Sequence, residues 1–127
     1  MTMSEAPRAI VAGHGTFAAG LVSAVEQITG LKDRLVPVSN TGLSPAGMDV
    51  AIREALATSG ARVIFTDLPG GSCTMAARRI AHAEPGLVVV TGIALPTLLT
   101  FACGSEVDDA VARGREALQI VEGRRGA

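Results

Sequence analysis

A histidine between two glycines is the first feature of the sequence that could carry chemistry. His14 lies between Gly13 and Gly15, directly after an apolar run and before a segment of helical periodicity. Flanking glycines let other backbone approach closely and leave an imidazole accessible. A helix that begins just after the histidine offers unpaired amides, which favour an anion. A lone histidine is more often a surface residue or a satisfied core residue, so a second group is needed.

That second group is a carboxylate followed by two glycines. Asp67 comes directly after the apolar run at residues 62–66, and Gly70, Gly71 and Ser72 open another predicted helix. A carboxylate bound to one imidazole nitrogen fixes the tautomer and leaves the other nitrogen as a nucleophile. Amides and a hydroxyl at a helix start suit phosphate oxygens. Alone, Asp67 could be a helix cap or a turn residue, and the glycines a tight turn. The combination is more specific than any of its members.

Other ligand-binding motifs are missing from the sequence. It contains neither a Gly-Lys-Ser/Thr phosphate loop nor the GxGxxG fingerprint of dinucleotide sites. Asp, Glu and His residues form no cluster with metal-ligand spacing, so we expect neither a metal nor a cofactor. Cys73 and Cys103 lack a second pair, which fits neither a disulfide framework nor a zinc motif. Two reduced thiols are typical of a cytoplasmic protein.

Four short apolar runs alternate with segments of helical periodicity. The runs predict strands at residues 8–13, 35–38, 62–66 and 87–91. The intervening segments predict five helices. The first runs from Phe17 through Ile28 to a stop at Gly30, and the second from a Ser44 cap and Pro45 to Gly60. The third follows the loop at 67–72 and runs through Met75, Ala76, Ile80 and Ala83, and the fourth is a short one from Pro96 to near Gly104. The last is capped by Ser105 and has an apolar stripe of Val107, Val111, Leu118 and Val121.

This alternation predicts an α/β fold with a mainly parallel sheet. Strands that are apolar throughout are typical of a sheet covered by helices on both faces, and right-handed crossovers make it doubly wound. Ligand sites in such sheets lie beyond the carboxyl ends of the strands, where the chain order reverses. In the flavodoxin-like order 2-1-3-4 the first and third strands are neighbours. His14 and Asp67 would then face each other.

Composition excludes several classes of function. The chain has 127 residues with 11 basic and 12 acidic side chains, a balance that argues against a nucleic-acid partner. Its three aromatic residues are all Phe, so no platform for stacking bases is visible. We expect a single domain at 8–122, a disordered tail at 1–7 and a frayed tail at 123–127. No apolar run would span a membrane and residues 1–7 lack a signal core, so we expect a cytoplasmic protein.

At these residues the sequence resembles a known family, the mannose-type IIA domains of the bacterial sugar phosphotransferase system. The resemblance lies in IVAGHGTFAAGL at 10–21, FTDLPGGS at 65–72 and VVTGIALPTLL at 89–99, and it extends in length and element order over about 8–122. It implies a flavodoxin-like domain that accepts a phosphoryl group from phospho-HPr and passes it to a IIB component. It also implies a homodimer, and contact with a membrane only through the permease complex.

The resemblance also assigns roles to single residues. It implies that His14 is phosphorylated, that Asp67 orients it, and that Ser72 is the small hydroxyl residue at the phosphate-side helix start. The phosphate-binding backbone would come from four residues beside them: Gly15, Thr16, Gly70 and Gly71. Direct transfer between two histidines needs a docking surface around the site, and its candidates are Phe17, Thr74, Arg78 and Arg79. The chain departs from the family where Cys73 and Thr74 replace the usual Pro-hydrophobic pair.

Three other functions remain open at this point. The phosphoryl donor subunit of dihydroxyacetone kinase would use the same histidine and the same fold. A regulatory phosphohistidine module would bind a transcription factor or kinase without transporting sugar. A phosphatase with a phosphohistidine intermediate would need an arginine directly before the histidine, where this chain has Gly13.

Overall fold

The computed structural model describes residues 8–123 of the chain. The elements in that part are β1 (Ala9–Gly13), α1 (Phe17–Thr29), β2 (Leu35–Ser39), α2 (Pro45–Ser59), β3 (Val63–Thr66), α3 (Ser72–Ala83), β4 (Val88–Val90), α4 (Leu95–Ala102) and α5 (Val107–Ala117). None of these helices is long and apolar enough to cross a lipid bilayer. The tail predicted at residues 1–7, and residues 124–127 of the tail predicted at 123–127, lie outside the described residues.

The four strands form one parallel sheet in the order β2-β1-β3-β4. Gly13 at the end of β1 is level with Ser39 at the end of β2, and Ala12 is level with Thr66 at the end of β3. The loops that follow these three strands therefore meet at one edge of the sheet. The predicted α/β fold and its 2-1-3-4 order are confirmed.

Helices cover both faces of this sheet. On β1, Ala9 and Val11 face the core under α1 and α4, whereas Ile10 and Ala12 face the core under α2 and α3. The last helix, α5, packs on α4 rather than on the sheet. Alternate strand residues thus enter two separate cores, which explains why β1 is apolar along its whole length.

Local sequence signals set the ends of the first two helices. Gly30 and Gly60 follow α1 and α2 with φ of 73° and 74°, and each donates its N–H to a carbonyl of the last turn. Ser44 caps α2 by accepting a hydrogen bond from the backbone N–H of Gly47 at 3.0 Å. Glycine adopts this left-handed conformation without the steric cost that other residues carry. The predicted stops and the Ser44 cap are confirmed.

The prediction for the last helix is wrong at both ends. Its cap residue is Glu106 rather than Ser105, and the helix ends at Ala117. Leu118 and Val121, predicted to lie on its buried stripe, are 90% and 85% exposed. An apolar stripe is buried only where another element covers it, and α5 is covered by the eight-residue α4 alone. The prediction that Ile28 lies on the buried face of α1 is wrong for the same reason, since its side chain at the end of that helix is 60% exposed.

A glycine controls how closely α5 approaches α4. A Cβ atom at Gly114 would overlap the hydroxyl oxygen of Thr97, which is buried in α4. We therefore expect Gly114→Ala to lower the free energy of unfolding by about 1–3 kcal/mol, although alanine is the better helix former. The measurement is urea unfolding followed by circular dichroism.

The matched control for this prediction is Gly20→Ala. Gly20 lies inside α1, and no atom would lie within 4 Å of its added Cβ. That variant should gain about 0.5–1 kcal/mol from helix propensity alone. Equal stabilisation by both substitutions would contradict the close approach of α4 and α5.

Candidate functional site

The structure brings His14 and Asp67 together at the carboxyl edge of the sheet. His14 follows β1 and Asp67 follows β3, and these strands are neighbours. One oxygen of the carboxylate, Oδ2, lies 2.6 Å from Nδ1 of the His14 ring and accepts the backbone N–H of His14 at 2.9 Å. The carboxylate therefore holds both the ring and the backbone of the same residue.

This contact decides which ring nitrogen is free to react. A carboxylate oxygen can only accept, so Nδ1 carries the proton and Nε2 holds the lone pair. The side chain of His14 is 47% exposed, whereas that of Asp67 is 8% exposed. The arrangement is a nucleophile that faces solvent and is oriented by a buried anion.

The environment of Asp67 keeps it ionised. Burial acts to raise the pKa of this carboxyl, but the hydrogen bonds from the ring and the backbone N–H of His14 outweigh that effect. The pKa therefore lies below its ordinary value. The other carboxylate oxygen, Oδ1, is buried and has no hydrogen-bond partner among the described residues.

The start of α3 lies beside the free ring nitrogen. Gly71 has a φ of 91°, and a Cβ there would lie 3.4 Å from Cε1 and 3.9 Å from Nε2 of His14. The first hydrogen bond within the helix runs from the N–H of Met75 to the carbonyl of Gly71. The N–H groups of residues 72–74 therefore lack a partner within the helix. Such amides favour a phosphate group next to Nε2.

Glycine is also required directly before the histidine. A Cβ at Gly13 would lie 2.6 Å from the ring of Phe17 and 3.4 Å from Oδ2 of Asp67. Phe17 is half-buried and packs into the core under α1, so only part of its ring faces the site. Gly15 and Thr16 are exposed between β1 and α1, and Gly15 has a φ of 55°.

A third loop reaches the site, and the sequence reasoning missed it. Asn40 follows β2 and donates from Nδ2 to Oγ of Ser72 at 3.2 Å. Its neighbour Ser39 donates from Oγ to the carbonyl of Gly15 at 2.8 Å. Asn40 thus orients the Ser72 hydroxyl, and Ser39 fixes the turn after His14. The available signal was a polar pair at the carboxyl end of a strand adjacent to β1.

The expectation that Thr74 lies on a docking surface is wrong. Its side chain is fully buried, and its hydroxyl contacts Thr66 and the carbonyl of Leu68. Because α3 begins at Ser72, position 74 lies on the helix face that packs against the sheet. Cys73 is buried on the same face.

The two arginines of α3 differ in their contacts. Arg79 binds Asp49 of α2 through two hydrogen bonds, at 2.6 Å and 3.3 Å, so two of its five donors are engaged within the chain. Arg78 is exposed and lines a shallow groove together with Pro69 and His82. Both side chains are exposed, but Arg78 is the one that lines the groove beside Pro69, in the loop after Asp67.

One group of potential metal ligands exists among residues 8–123, and the spacing of residues did not predict it. Ligand atoms of His14, Asp67 and Cys73 lie within 4.8 Å of one another. Burial and then the charge of Asp67 raise the pKa of the Cys73 thiol. A metal ion bound by all three residues would have to displace that proton from the buried thiol. The site therefore fits a hydrogen-bonded nucleophile better than a metal centre.

Fold and site together define a flavodoxin-like α/β domain with a carboxylate-oriented histidine at its switch point. The family described as the PTS system fructose IIA component, of the mannose type, matches residues 8–118. The chain therefore belongs to this family of IIA components of the sugar phosphotransferase system. Its members are phosphotransfer components that work with HPr and IIB components in sugar transport.

Solved structures of low sequence identity share the fold. The mannose/sorbose-specific IIA subunit from Enterococcus faecalis is 20% identical with a TM-score of 0.79, covering 96% of this chain and 99% of that one. A PTS IIA protein associated with the fucose utilization operon of Streptococcus pneumoniae is 21% identical with a TM-score of 0.83, covering 91% and 93%. A sigma-54 interaction domain protein from Enterococcus faecalis is 13% identical with a TM-score of 0.71, covering 88% and 90%. Comparison with curated protein sequences gives no significant match.

Proposed function

We propose that the chain accepts a phosphoryl group on Nε2 of His14 from phospho-HPr and transfers it to a IIB component for sugar uptake. The observation that carries this proposal is the double hydrogen bond from His14 to Oδ2 of Asp67, which in the neutral ring leaves the lone pair on Nε2 of a side chain that is 47% exposed. Residues 8–122 would act as one phosphocarrier domain.

In the proposed step, the Nε2 lone pair attacks the phosphorus of the donor phosphohistidine. The new N–P bond forms as the N–P bond of the donor breaks, and the donor imidazole keeps the electron pair. Asp67 stabilises the positive charge that develops on the His14 ring. The donor arrives already activated, so the step needs no metal or cofactor, and catalysis consists of positioning and electrostatics.

Groups around Nε2 would bind the phosphoryl oxygens. We assign this role to the Ser72 hydroxyl, which Asn40 orients, and to the N–H groups at the start of α3. The glycines at positions 70 and 71 keep that helix start free of side chains. Gly15 and Thr16, which connect His14 to the start of α1, would contribute their backbone.

A IIA component of this kind works in the cytoplasm, and it reaches the membrane only through the permease complex. The docking surface for HPr and IIB would surround Nε2. Exposed apolar side chains border the site there, Leu68 in the loop after Asp67 and Met75 in the first turn of α3. Together with the exposed part of Phe17 they would form an apolar contact with these partners. No nucleic acid is expected to bind.

The test of this function is transfer of labelled phosphate from phosphoenolpyruvate through enzyme I and HPr. With purified labelled phospho-HPr as the donor, the chain should become labelled in excess EDTA and should pass the label to a IIB component. Transfer only to the nucleotide-binding subunit of a dihydroxyacetone kinase would favour that alternative. No label on the chain, or loss of transfer from purified phospho-HPr in EDTA, would contradict the proposal.

We expect Arg78→Glu to slow association with phospho-HPr by roughly threefold or more at low ionic strength, and much less at high salt. An exposed charge at the rim of a docking surface acts mainly on the association rate, and salt screens it. The measurement is rapid-quench transfer at two salt concentrations.

The control for this prediction carries the same change of charge far from the site. Arg113 is exposed on α5, and Arg113→Glu should leave the association rate nearly unchanged. An equal effect of the two variants would show that only net charge matters and would remove Arg78 from the interface.

We also propose that the chain forms a homodimer. β4 is an edge strand, and its Val88 is exposed. Leu118, Ile120 and Val121 after α5 are exposed large apolar side chains as well. Apolar surface of this kind is commonly covered by a partner. Light scattering at micromolar concentration should give the mass of two chains, and Ile120→Glu should lower it. A monomeric wild type would contradict the dimer.

A further inference from the structure

A buried pair of threonines encloses the residue that orients the histidine. Oγ1 of Thr74 lies 2.6 Å from Oγ1 of Thr66 and 2.5 Å from the carbonyl oxygen of Leu68. Thr66 and Leu68 are the two chain neighbours of Asp67. Both threonine side chains are fully buried. One hydroxyl of α3 thus contacts the chain on each side of the carboxylate.

The direction of these bonds follows from counting protons. A carbonyl oxygen can only accept, so the single hydroxyl proton of Thr74 goes to Leu68. The hydroxyl proton of Thr66 then goes to Thr74. The chain from Thr66 through Thr74 to Leu68 satisfies both buried hydroxyl donors. Loss of the central hydroxyl would leave the buried Thr66 donor without that partner, which is costly away from water.

On this geometry we infer that Thr74 is a positioning residue for the phosphoryl-transfer site, acting through Asp67. The inference rests on the proposed function of His14. Within the described residues the side chain of Asp67 has His14 as its hydrogen-bonding partner, and Oδ1 has none. The direction of its carboxylate therefore depends on the backbone between residues 66 and 68. Thr74 holds that segment through the carbonyl of Leu68 on one side and through the side chain of Thr66 on the other.

The experiment compares Thr74→Val with Thr74→Ser. Valine has nearly the shape of threonine but has no hydroxyl, whereas serine keeps the hydroxyl. Thr74→Val should slow transfer from phospho-HPr on the order of tenfold, because small misplacements of an orienting group are costly in rate. Thr74→Ser should stay within about threefold of wild type.

A second measurement separates positioning from loss of structure. The ionisation of Asp67 is followed by NMR of its carboxyl carbon, and weaker bonds to His14 in Thr74→Val should move its pKa upward toward the ordinary value. Thr100→Val removes a similar hydroxyl-to-carbonyl bond, to Pro96 in α4, and should change neither rate nor titration. If Thr74→Val does not fold, Thr66→Val, which removes only the donor to Thr74, takes its place with the same expected directions.

Two outcomes would overturn the inference. One is a wild-type rate together with an unchanged Asp67 titration in the valine variant. The other is a serine variant as slow as the valine variant. If wild-type protein accepts no phosphoryl group from HPr, the proposed function fails, but the Asp67 titration still decides the role of Thr74.

Discussion

Replacing His14 by Gln should abolish phosphoryl uptake from phospho-HPr. Glutamine keeps a polar side chain of similar length but has no ring nitrogen with a free lone pair. His14 is the histidine that Asp67 orients, and its Nε2 lies next to the unpaired amides of α3. The measurement is labelling from radioactive phosphoenolpyruvate through enzyme I and HPr. The label on wild-type protein should be labile in acid and stable in base, as expected for a phosphoramidate.

His82→Gln is the matched control, because these are the two histidines of the chain. His82 is exposed in the last turn of α3. Its side chain makes no hydrogen bond or ion pair with the residues that the structure describes. We expect it to be labelled like wild type. Label retained in His14→Gln, or lost in His82→Gln, would assign the reaction to a different residue.

Asp67→Asn should preserve the fold and slow phosphoryl transfer on the order of 10²-fold. The amide oxygen of asparagine can still accept the two N–H groups of His14. The negative charge that would stabilise the developing imidazolium in the proposed step is lost, and the amide NH₂ replaces the buried Oδ1. Single-turnover transfer from phospho-HPr measures the rate, and circular dichroism checks the fold.

The pH dependence of this effect follows from the lowered pKa of Asp67. A carboxyl whose folded pKa is depressed is ionised above its ordinary value of about 3.9 and loses its charge only as the pH falls through the lowered value. The rate ratio between wild type and Asp67→Asn should therefore persist from neutral pH to about pH 4 and shrink below it.

Asp109→Asn serves as the control for loss of a carboxylate. Asp109 is exposed in the first turn of α5, on the helix layer away from α3. Its variant should transfer at the wild-type rate. A wild-type rate in Asp67→Asn as well, with an unchanged fold, would reduce Asp67 to a turn residue.

Much of the fold was predictable because the central strands are buried on both faces. The run at residues 9–13 is apolar throughout, as expected of a central strand that is buried between two layers of helices. Gly30 and Gly60 ended their helices where a left-handed residue was needed. The end of α5 was not predictable from periodicity, because the exposure of Leu118 depends on how far the covering helix α4 extends.

Only part of the site, likewise, was predictable from the sequence. The meeting of His14 and Asp67 followed from the neighbouring positions of β1 and β3, which the topology fixes. The sequence did not predict that the side chain of Thr74 points into the core, because a shift of one residue in the start of α3 would turn that side chain outward. Asn40 was missed because a polar residue after a strand is common in any loop. Its contact with Ser72 depends on the path of the β2–α2 connection.

One carboxylate oxygen of Asp67 accepts hydrogen bonds from both the backbone and the ring of His14. This limits how a group bound to the histidine could act as a signal. A group attached to Nε2 leaves the Nδ1 proton and its acceptor in place. The loaded and unloaded forms should therefore share one backbone shape and differ only by a dianion at an exposed atom. On the proposed function, we therefore expect the domain to act as a rigid carrier rather than as a two-state switch. A partner that distinguishes the two forms would have to read the local electric field, and its selectivity should weaken as salt is added.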